Sequence, residues 1–577
     1  MQYFSTDFHS TDMNRRKSLL AAVAAIIILP AGVRAQENLQ NDEAAIYRNL
    51  SIFNSAFKEL NTFYVDTIDV EATIENALMG MLYYIDPYTE YIPAKSEDDF
   101  KAISTGEYGG IGSVIMQIGD TVCVSEPYEG SPAARAGLLA GDRIAAIDGE
   151  NVVGLTTSQV SEKLKGLPNT KVLVTVDRPY CDGSIDVEII RQKIKIPAVP
   201  YYGVTRGSIG YINLSTFSMT APDEVRAALL DLKSNPAVES IVLDLRGNGG
   251  GLLECAVQIV GMFVPKGTMV LQTRGRFKQD EKTYKTTQEP VDTEIPLVVL
   301  IDGSSASASE IVAGSLQDLD RALIVGSRSF GKGLVQTTRQ LPFDGQLKVT
   351  IAKYYIPSGR LIQAIDYSHR NSDGSATRIP DSLTTVFHTA NGREVRDGGG
   401  IIPDVAVESP DISRLTYKIW HDNWSFNFAT LYAAQNPTLP PADEFVITDS
   451  IYAQFKAFID PEKFKYDKVC EDRLKSLRQA AKSEGYMTDE VSEQFDILEK
   501  MLKHNLDKDL DTHRDQIAEI LGEEILKRYY YQRGGIIEQL KHDEALDVVV
   551  QTLSTEGEYE RLLGKSNEVA SGKQKKK

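Results

Sequence analysis

Four regimes of hydrophobic patterning follow one another along the chain. In residues 36–105, Tyr47, Leu50, Ile52, Phe53, Phe57, Leu60 and Phe63 recur at roughly helical spacing, which predicts a helix with one apolar face. A second helix is predicted over residues 70–84, ending before the turn pair Asp86-Pro87. From 106 to 195, glycine-rich turns separate short β-branched runs at 114–117, 121–125, 143–147 and 171–178, with one helix at 158–166. That pattern predicts a small β-rich domain. From 196 to 410, apolar strands at 209–214, 240–245 and 297–301 alternate with helices at 222–234, 252–263 and 309–319. Such alternation predicts an α/β core. From 411 to 577, helical periodicity with charged outer faces marks residues 467–484, 489–505 and 509–531, and residues 572–577 form a basic tail.

Composition changes this picture little. The 577 residues, 42% hydrophobic and 25% charged, are enough for three or four domains. A net charge of −19 excludes nucleic acid as a partner, because phosphates demand clustered Lys and Arg. The four cysteines, Cys123, Cys181, Cys255 and Cys470, have no zinc-type spacing. Arg15-Arg16-Lys17, the apolar run 19–29 and the small-residue site Val33-Arg34-Ala35 resemble a secretory signal peptide over residues 1–35. The expectation is an exported, periplasmic protein, with an inner-membrane anchor as the alternative should the segment stay uncleaved.

Candidate chemistry concentrates between Val299 and Gln336. Four serines, Ser304, Ser305, Ser307 and Ser309, lie where the strand 297–301 turns into a helix. Unpaired amides at a helix start suit a developing oxyanion. A serine hydroxyl needs a base, and no histidine occurs in this stretch. Lys332, between Gly331 and Gly333, is the candidate base if burial and the helix start lower its pKa toward neutrality. Gln336 shares a strand face with Lys332 and is placed to orient the amine. Other readings exist for each group. Ser309 before Glu310 makes an ordinary helix cap. Gly326 to Gly333 nearly matches a phosphate loop, but Gly333 stands where a hydroxyl is needed for magnesium. None of the seven histidines lies in a glycine-framed motif, which leaves a Ser-His-Asp triad without a candidate base.

Together with G-S-I-G-Y-I-N-L-S-T-F from Gly207, L-D-L-R-G-N-G-G-G-L-L from Leu243, Y-Y-I-P-S-G-R-L-I-Q from Tyr354 and G-G-I-I-P-D from Gly399, these motifs make residues 40–405 resemble the carboxyl-terminal processing proteases, the S41-type serine peptidases. The resemblance implies a multidomain α+β protein. Its parts are an N-terminal helical segment (36–105), a PDZ-like domain (106–195) of the inserted type, a ClpP/crotonase-like α/β protease core (196–410) and a C-terminal helical region (411–577). It implies Ser307 as nucleophile, Lys332 as base and Gln336 as its orienter. The oxyanion hole is implied to come from the amides of Ala308 and a glycine of the 248–251 loop, with Gly250 favoured. That loop reads Asn-Gly-Gly-Gly where the family usually has Asn-Pro-Gly-Gly.

Residues 106–180 resemble a PDZ domain. Gly110-Ile-Gly-Ser113 stands in the place of the carboxylate loop, so the amides of Ile111, Gly112 and Ser113 are implied to hold a terminal carboxylate. The strand from Ser113 is implied to pair with the peptide by β-addition. Ser113 replaces the usual apolar residue. The expected activity is that of a serine endopeptidase that binds protein C-terminal tails and cleaves near them, with no metal or nucleotide required. A homo-oligomer and an adaptor protein stay open as partners, and a non-catalytic tail-binding scaffold is the alternative reading.

Overall fold

The computed structural model describes residues 43–565 except 97–101, 103, 372 and 409–410, so the signal segment and the basic tail read from the sequence lie outside the described residues. The chain divides into two units, ending and beginning at Tyr84 and Ile85. The first holds a helix over residues 43–63 and a second, Val70–Tyr83, whose Asp69 cap accepts the amide of Ala72 at 3.0 Å. The apolar face expected on the first helix is exposed at Tyr47, Leu50, Phe53 and Phe63.

The second unit is built around a six-stranded sheet. Its order is Tyr201–Thr205, Ile209–Asn213, Ser240–Asp244, Leu297–Ile301, Leu323–Gly326 and Val405–Ala406. The first pair is antiparallel and the rest parallel. Side chains alternate across a strand, and Leu297–Ile301 shows the consequence. Leu297, Val299 and Ile301 point into one core, packed with residues of the helices Ala221–Ser234, Leu253–Val260 and Ala308–Asp318. Val298 and Leu300 point into another, closed by Ile536, Leu540, Leu546 and Val549 of the C-terminal region. A strand apolar on both faces is what a doubly covered parallel sheet requires. A second sheet runs Glu90–Ile92, Gln346–Tyr355, Met269–Gly275, Lys282–Lys285, with Leu334–Gln340 also paired to Gln346–Tyr355.

The β-rich domain has the order Ser113–Ile118, Thr121–Pro127, Arg143–Ile147, Lys171–Asp177, Ser184–Ile190. Ser113–Ile118 is an edge strand of that sheet. Asp148-Gly149 makes a two-residue hairpin with both φ positive, at 50° and 80°, as such a turn requires. Entry and exit strands, Glu107–Gly110 and Gln192–Lys195, pair antiparallel and close the insertion.

The C-terminal region has its own core around Phe428, Phe455, Ile517, Leu521 and Ile525. The helix expected over residues 509–531 is reorganised. Leu506–Thr512 is separate, and Arg514–Lys541 folds back on itself at Tyr531, where φ is 55° and ψ −160°. Glycine permits the tight return. A Cβ on Gly534 would lie 2.7 Å from Leu526 O, and one on Gly522 would lie 2.5 Å from Glu538 Oε1.

Candidate active site

The parallel strand Leu297–Ile301 delivers the chain to a turn in which the four serines take different roles. Ser305 Oγ donates to Leu245 O at 2.8 Å, and Ser309 Oγ donates to Asn248 O at 2.8 Å. Ser304 is exposed and its amide donates to Asp302. Ser307 alone adopts an unusual backbone, φ 56° and ψ −110°, immediately ahead of the helix Ala308–Asp318. A non-glycine residue held there stores strain of about 1–3 kcal/mol, which surrounding contacts must enforce. Ala308 N–H sits in the first helical turn, where no helical carbonyl reaches it.

Glu310 supplies much of the enforcement. Its carboxylate is fully buried and accepts four hydrogen bonds. Oε2 takes the amides of Ser307 and Lys332, both at 2.8 Å. Oε1 takes the Ser329 hydroxyl at 2.5 Å and the Gly331 amide at 2.7 Å. Burial raises its pKa above the ordinary carboxylate value, against the pull of those four donors. Tyr354, also buried, donates its hydroxyl toward Lys332 O at 2.8 Å and Ser307 O at 3.2 Å. The backbones of Ser307 and Lys332 are thereby fastened together from two sides.

Their side chains are not. Among the described residues no hydrogen bond joins Ser307 Oγ to Lys332 Nζ. The amine lies over the Tyr88 ring, 4.2 Å from its centroid, and the lysine is half-buried. Burial, with help from the nearby Lys348 ammonium, lowers its pKa to about 8, while Asp86, Glu310 and Glu90 act in the opposite sense. The Tyr88 face also favours the charged form. Gln336 does not reach the amine either; its Nε2 donates to Thr350 Oγ1 at 3.1 Å.

Gly250 has φ +102°, and a Cβ on it would stand 2.9 Å from Ser307 Cβ and 3.0 Å from Ala308 N. Glycine is therefore required for the loop to touch the serine turn. Its amide already donates to Asn248 Oδ1 at 2.9 Å. Asn248, fully buried, is the hub of the loop: Nδ2 donates to Leu214 O at 2.7 Å, and its carbonyl accepts Ser309 Oγ and Ala306 N. The sequence alone marks Glu310 as part of a helix cap and Asn248 as part of a turn. The spacing Ser307–Glu310 fits such a cap, but nothing in it announces the contacts to 329–332.

In the β-rich domain, Ile111 is buried, and the carbonyls of Ile111 and Gly112 accept the amides of Ala133 and Tyr128. Gly112, at φ +78°, packs against Ser131. The amides of Gly112 and Ser113 face the Tyr108 hydroxyl, a neighbour the sequence did not suggest. Ser113 Oγ is buried without a partner. Among the described residues no group of His, Cys, Asp and Glu has the arrangement of a metal site.

The Peptidase family S41 profile matches residues 208–369, a PDZ domain profile matches 123–178, and a profile described as the probable PDZ-protease C-terminal helical domain matches 415–553. A carboxy-terminal-processing protease of Bartonella bacilliformis is 38% identical over 353 residues, covering 61% of this chain and 81% of that one. A probable CtpA-like serine protease of Staphylococcus aureus is 29% identical over 504 residues, covering 84% and 89%. Among solved structures, a photosystem II D1 C-terminal processing protease is 28% identical with a TM-score of 0.34, covering 62% of this chain and 92% of that one. The chain belongs to the carboxy-terminal-processing proteases, serine peptidases of family S41 that carry a PDZ domain.

Proposed function

We propose that this peptidase works through a Ser307–Lys332 dyad and cuts proteins near C-terminal tails held by its PDZ domain. The observation that carries the reading is the double fastening of Ser307 to Lys332 by Glu310 and Tyr354, beside an amine whose pKa lies near 8. Lys332 has a flexible four-carbon stem, and rotation off Tyr88 directs its amine toward Ser307. The neutral amine takes the Ser307 proton as Oγ attacks the scissile carbonyl. The oxyanion is held by the Ala308 amide and by the Gly250 amide, which shares its proton with Asn248 Oδ1. The ammonium gives its proton to the leaving amine, and the same amine then activates the water that hydrolyses the ester. Gln336, on the strand after Lys332, leaves Thr350 and orients the amine in the cutting state.

At the PDZ domain, the amides of Ile111, Gly112 and Ser113 take the tail carboxylate, with Tyr108 moving aside, and the edge strand Ser113–Ile118 pairs with the peptide. The substrates are exported proteins and the site of action is the periplasm, on the strength of the signal-like residues 15–35. Cleavage of an unfolded protein by wild type and variants tests the reading. Ser307→Ala is expected to abolish turnover, and Lys332→Arg, which keeps a permanent charge, to do nearly the same. A substrate amidated at its C-terminus is expected to be cut more slowly. Full activity in either variant removes the dyad; equal rates on acid and amide remove the tail grip.

A further inference from the structure

The loop that carries Gly250 is tied to a residue 297 positions from its start. Arg246, at the end of the core strand Ser240–Asp244, forks between two carboxylates. Asp244 accepts from Arg246 Nη2 at 2.6 Å and from Nε at 3.0 Å. Asp543 of the C-terminal region accepts from Nη2 at 2.5 Å and from Nη1 at 3.2 Å. Both acids are nearly fully buried, with side-chain exposures of 3% and 7%. Asp543 also caps the helix Glu544–Ser554, its Oδ1 accepting the amides of Ala545 and Leu546 at 3.0 and 3.2 Å.

From Arg246 the path to the serine is short. Its amide donates to Asp244 Oδ1 at 2.9 Å, so one cluster fixes both the side chain and the backbone of residue 246. Two residues on stands Asn248, which grips Ala306, Ser309 and Gly250, and Gly250 abuts Ser307. The fork lines a cavity of about 440 Å³ shared by Tyr211, Asp244 and Arg246 of the core with His542, Asp543 and Ala545 of the C-terminal region. Ile536, Leu540, Leu546 and Val549 keep the C-terminal region on the sheet. The loop is held within the core as well, the Gly247 amide donating to Asp302 at 3.1 Å and the Gly250 carbonyl accepting the Phe217 amide at 3.1 Å, and the fork adds the tie that reaches the C-terminal region.

We infer that Asp543 is a positioning residue for the peptidase: through Arg246 it holds the 246–250 loop against Ser307, so that the C-terminal helical region completes the oxyanion side of the site. This rests on the proposed roles of Ser307, Ala308 and Gly250. Displacement of a catalytic group by 1 Å costs about a hundredfold in rate, and a fork that loses one carboxylate relaxes toward the other.

The capping and fork-holding roles of Asp543 are chemically separable, which makes the test sharp. Asn is as good a helix cap as Asp but carries no charge; Glu carries the charge but is not among the favoured caps. Asp543→Asn is expected to melt like wild type while kcat falls about tenfold or more with KM within about twofold. The Ki of a peptide aldehyde, which forms an oxyanion-bearing adduct on a serine, is expected to rise by the same factor as kcat/KM falls. Asp543→Glu is expected to melt lower yet keep most of kcat. A purely structural cap predicts the reverse ranking. Wild-type kcat in Asp543→Asn, or losses in the two variants that follow their melting temperatures, overturns the relay. Aldehyde affinity that survives Ser307→Ala unchanged overturns the nucleophile assignment, and the relay with it.

Discussion

At the scale of the residue, the proposed dyad turns on the protonation of Lys332. Burial lowers its pKa to about 8, so the ammonium predominates below that pH and the neutral amine above it. A base must be neutral, and kcat/KM is therefore expected to rise about tenfold per pH unit below 8 and to level off above. Lys348, whose amine pairs with Glu90 at 2.7 Å, contributes to the depression. Lys348→Met removes a positive charge, which stabilises the Lys332 ammonium and moves the midpoint of the profile upward. Activity near pH 7 is expected to fall while the alkaline plateau holds; a midpoint that stays put or moves down refutes the electrostatic account. Stability carries the matching sign. The unfolded lysine titrates at about 10.4, so between 8 and 10 the unfolded chain binds more protons. The Lys332 penalty is then full below pH 8 and is relieved as pH rises through that window. The motif around Lys332 was readable from sequence because the lysine stands between Gly331 and Gly333 a short way after the serine-rich turn. Its neighbours Tyr88, Lys348 and Tyr354 were not, because each arrives from a strand or turn distant in the chain.

At the scale of the element, the 248–251 loop shows why glycine identity is not interchangeable along a run. Gly249 is exposed, and a Cβ there meets nothing within 4 Å; Gly250 has φ +102° and would drive a Cβ into the Ser307 turn. Gly249→Ala is expected to keep activity and to raise stability by up to about 1 kcal/mol, through lost freedom of the unfolded chain. Gly250→Ala is expected to lower kcat about a hundredfold by pushing the loop off the serine, read by turnover and thermal melting of the two variants side by side. The missing family proline falls at the tolerant position, and the Asn248 hub does the fixing instead. Element boundaries in the core were legible because buried parallel strands read as continuous apolar runs: residues 240–245 and 297–301 return as Ser240–Asp244 and Leu297–Ile301. The fold-back at Tyr531 was not, because helical periodicity runs through it and only the Gly534-Gly535 pair marks the return.

At the scale of the second unit, the C-terminal region is structurally part of the protease. Sequence periodicity marked two of its helices, returned as Val469–Ser483 and Asp489–Leu502, but neither the helices around 414–458 and 544–562 nor what their apolar sides cover, since that depends on the outer face of a sheet some 250 residues earlier. Leu546, with no exposed surface, packs in the cluster that contains Val298 and Leu300. The same region meets the PDZ domain, where a Cβ on Gly141 would lie 2.6 Å from Thr430 Cγ2 and where Lys527 stands near Glu126. One helical region thus touches both the PDZ domain and the protease core. If it is integral to the core, its loss of packing must be felt there. Leu546→Ala is expected to cost about 2–5 kcal/mol and to lower the unfolding midpoint of the core itself, because the cavity it leaves is shared with the sheet. Denaturant unfolding followed by a probe in the S41 core and another in the C-terminal region distinguishes the cases. Coincident shifts of both probes fit an undivided core. A shift confined to the C-terminal probe would mean that the region is an appendage resting on a sheet that stands without it, and the outer-face cluster would lose its claim to hold the protease together.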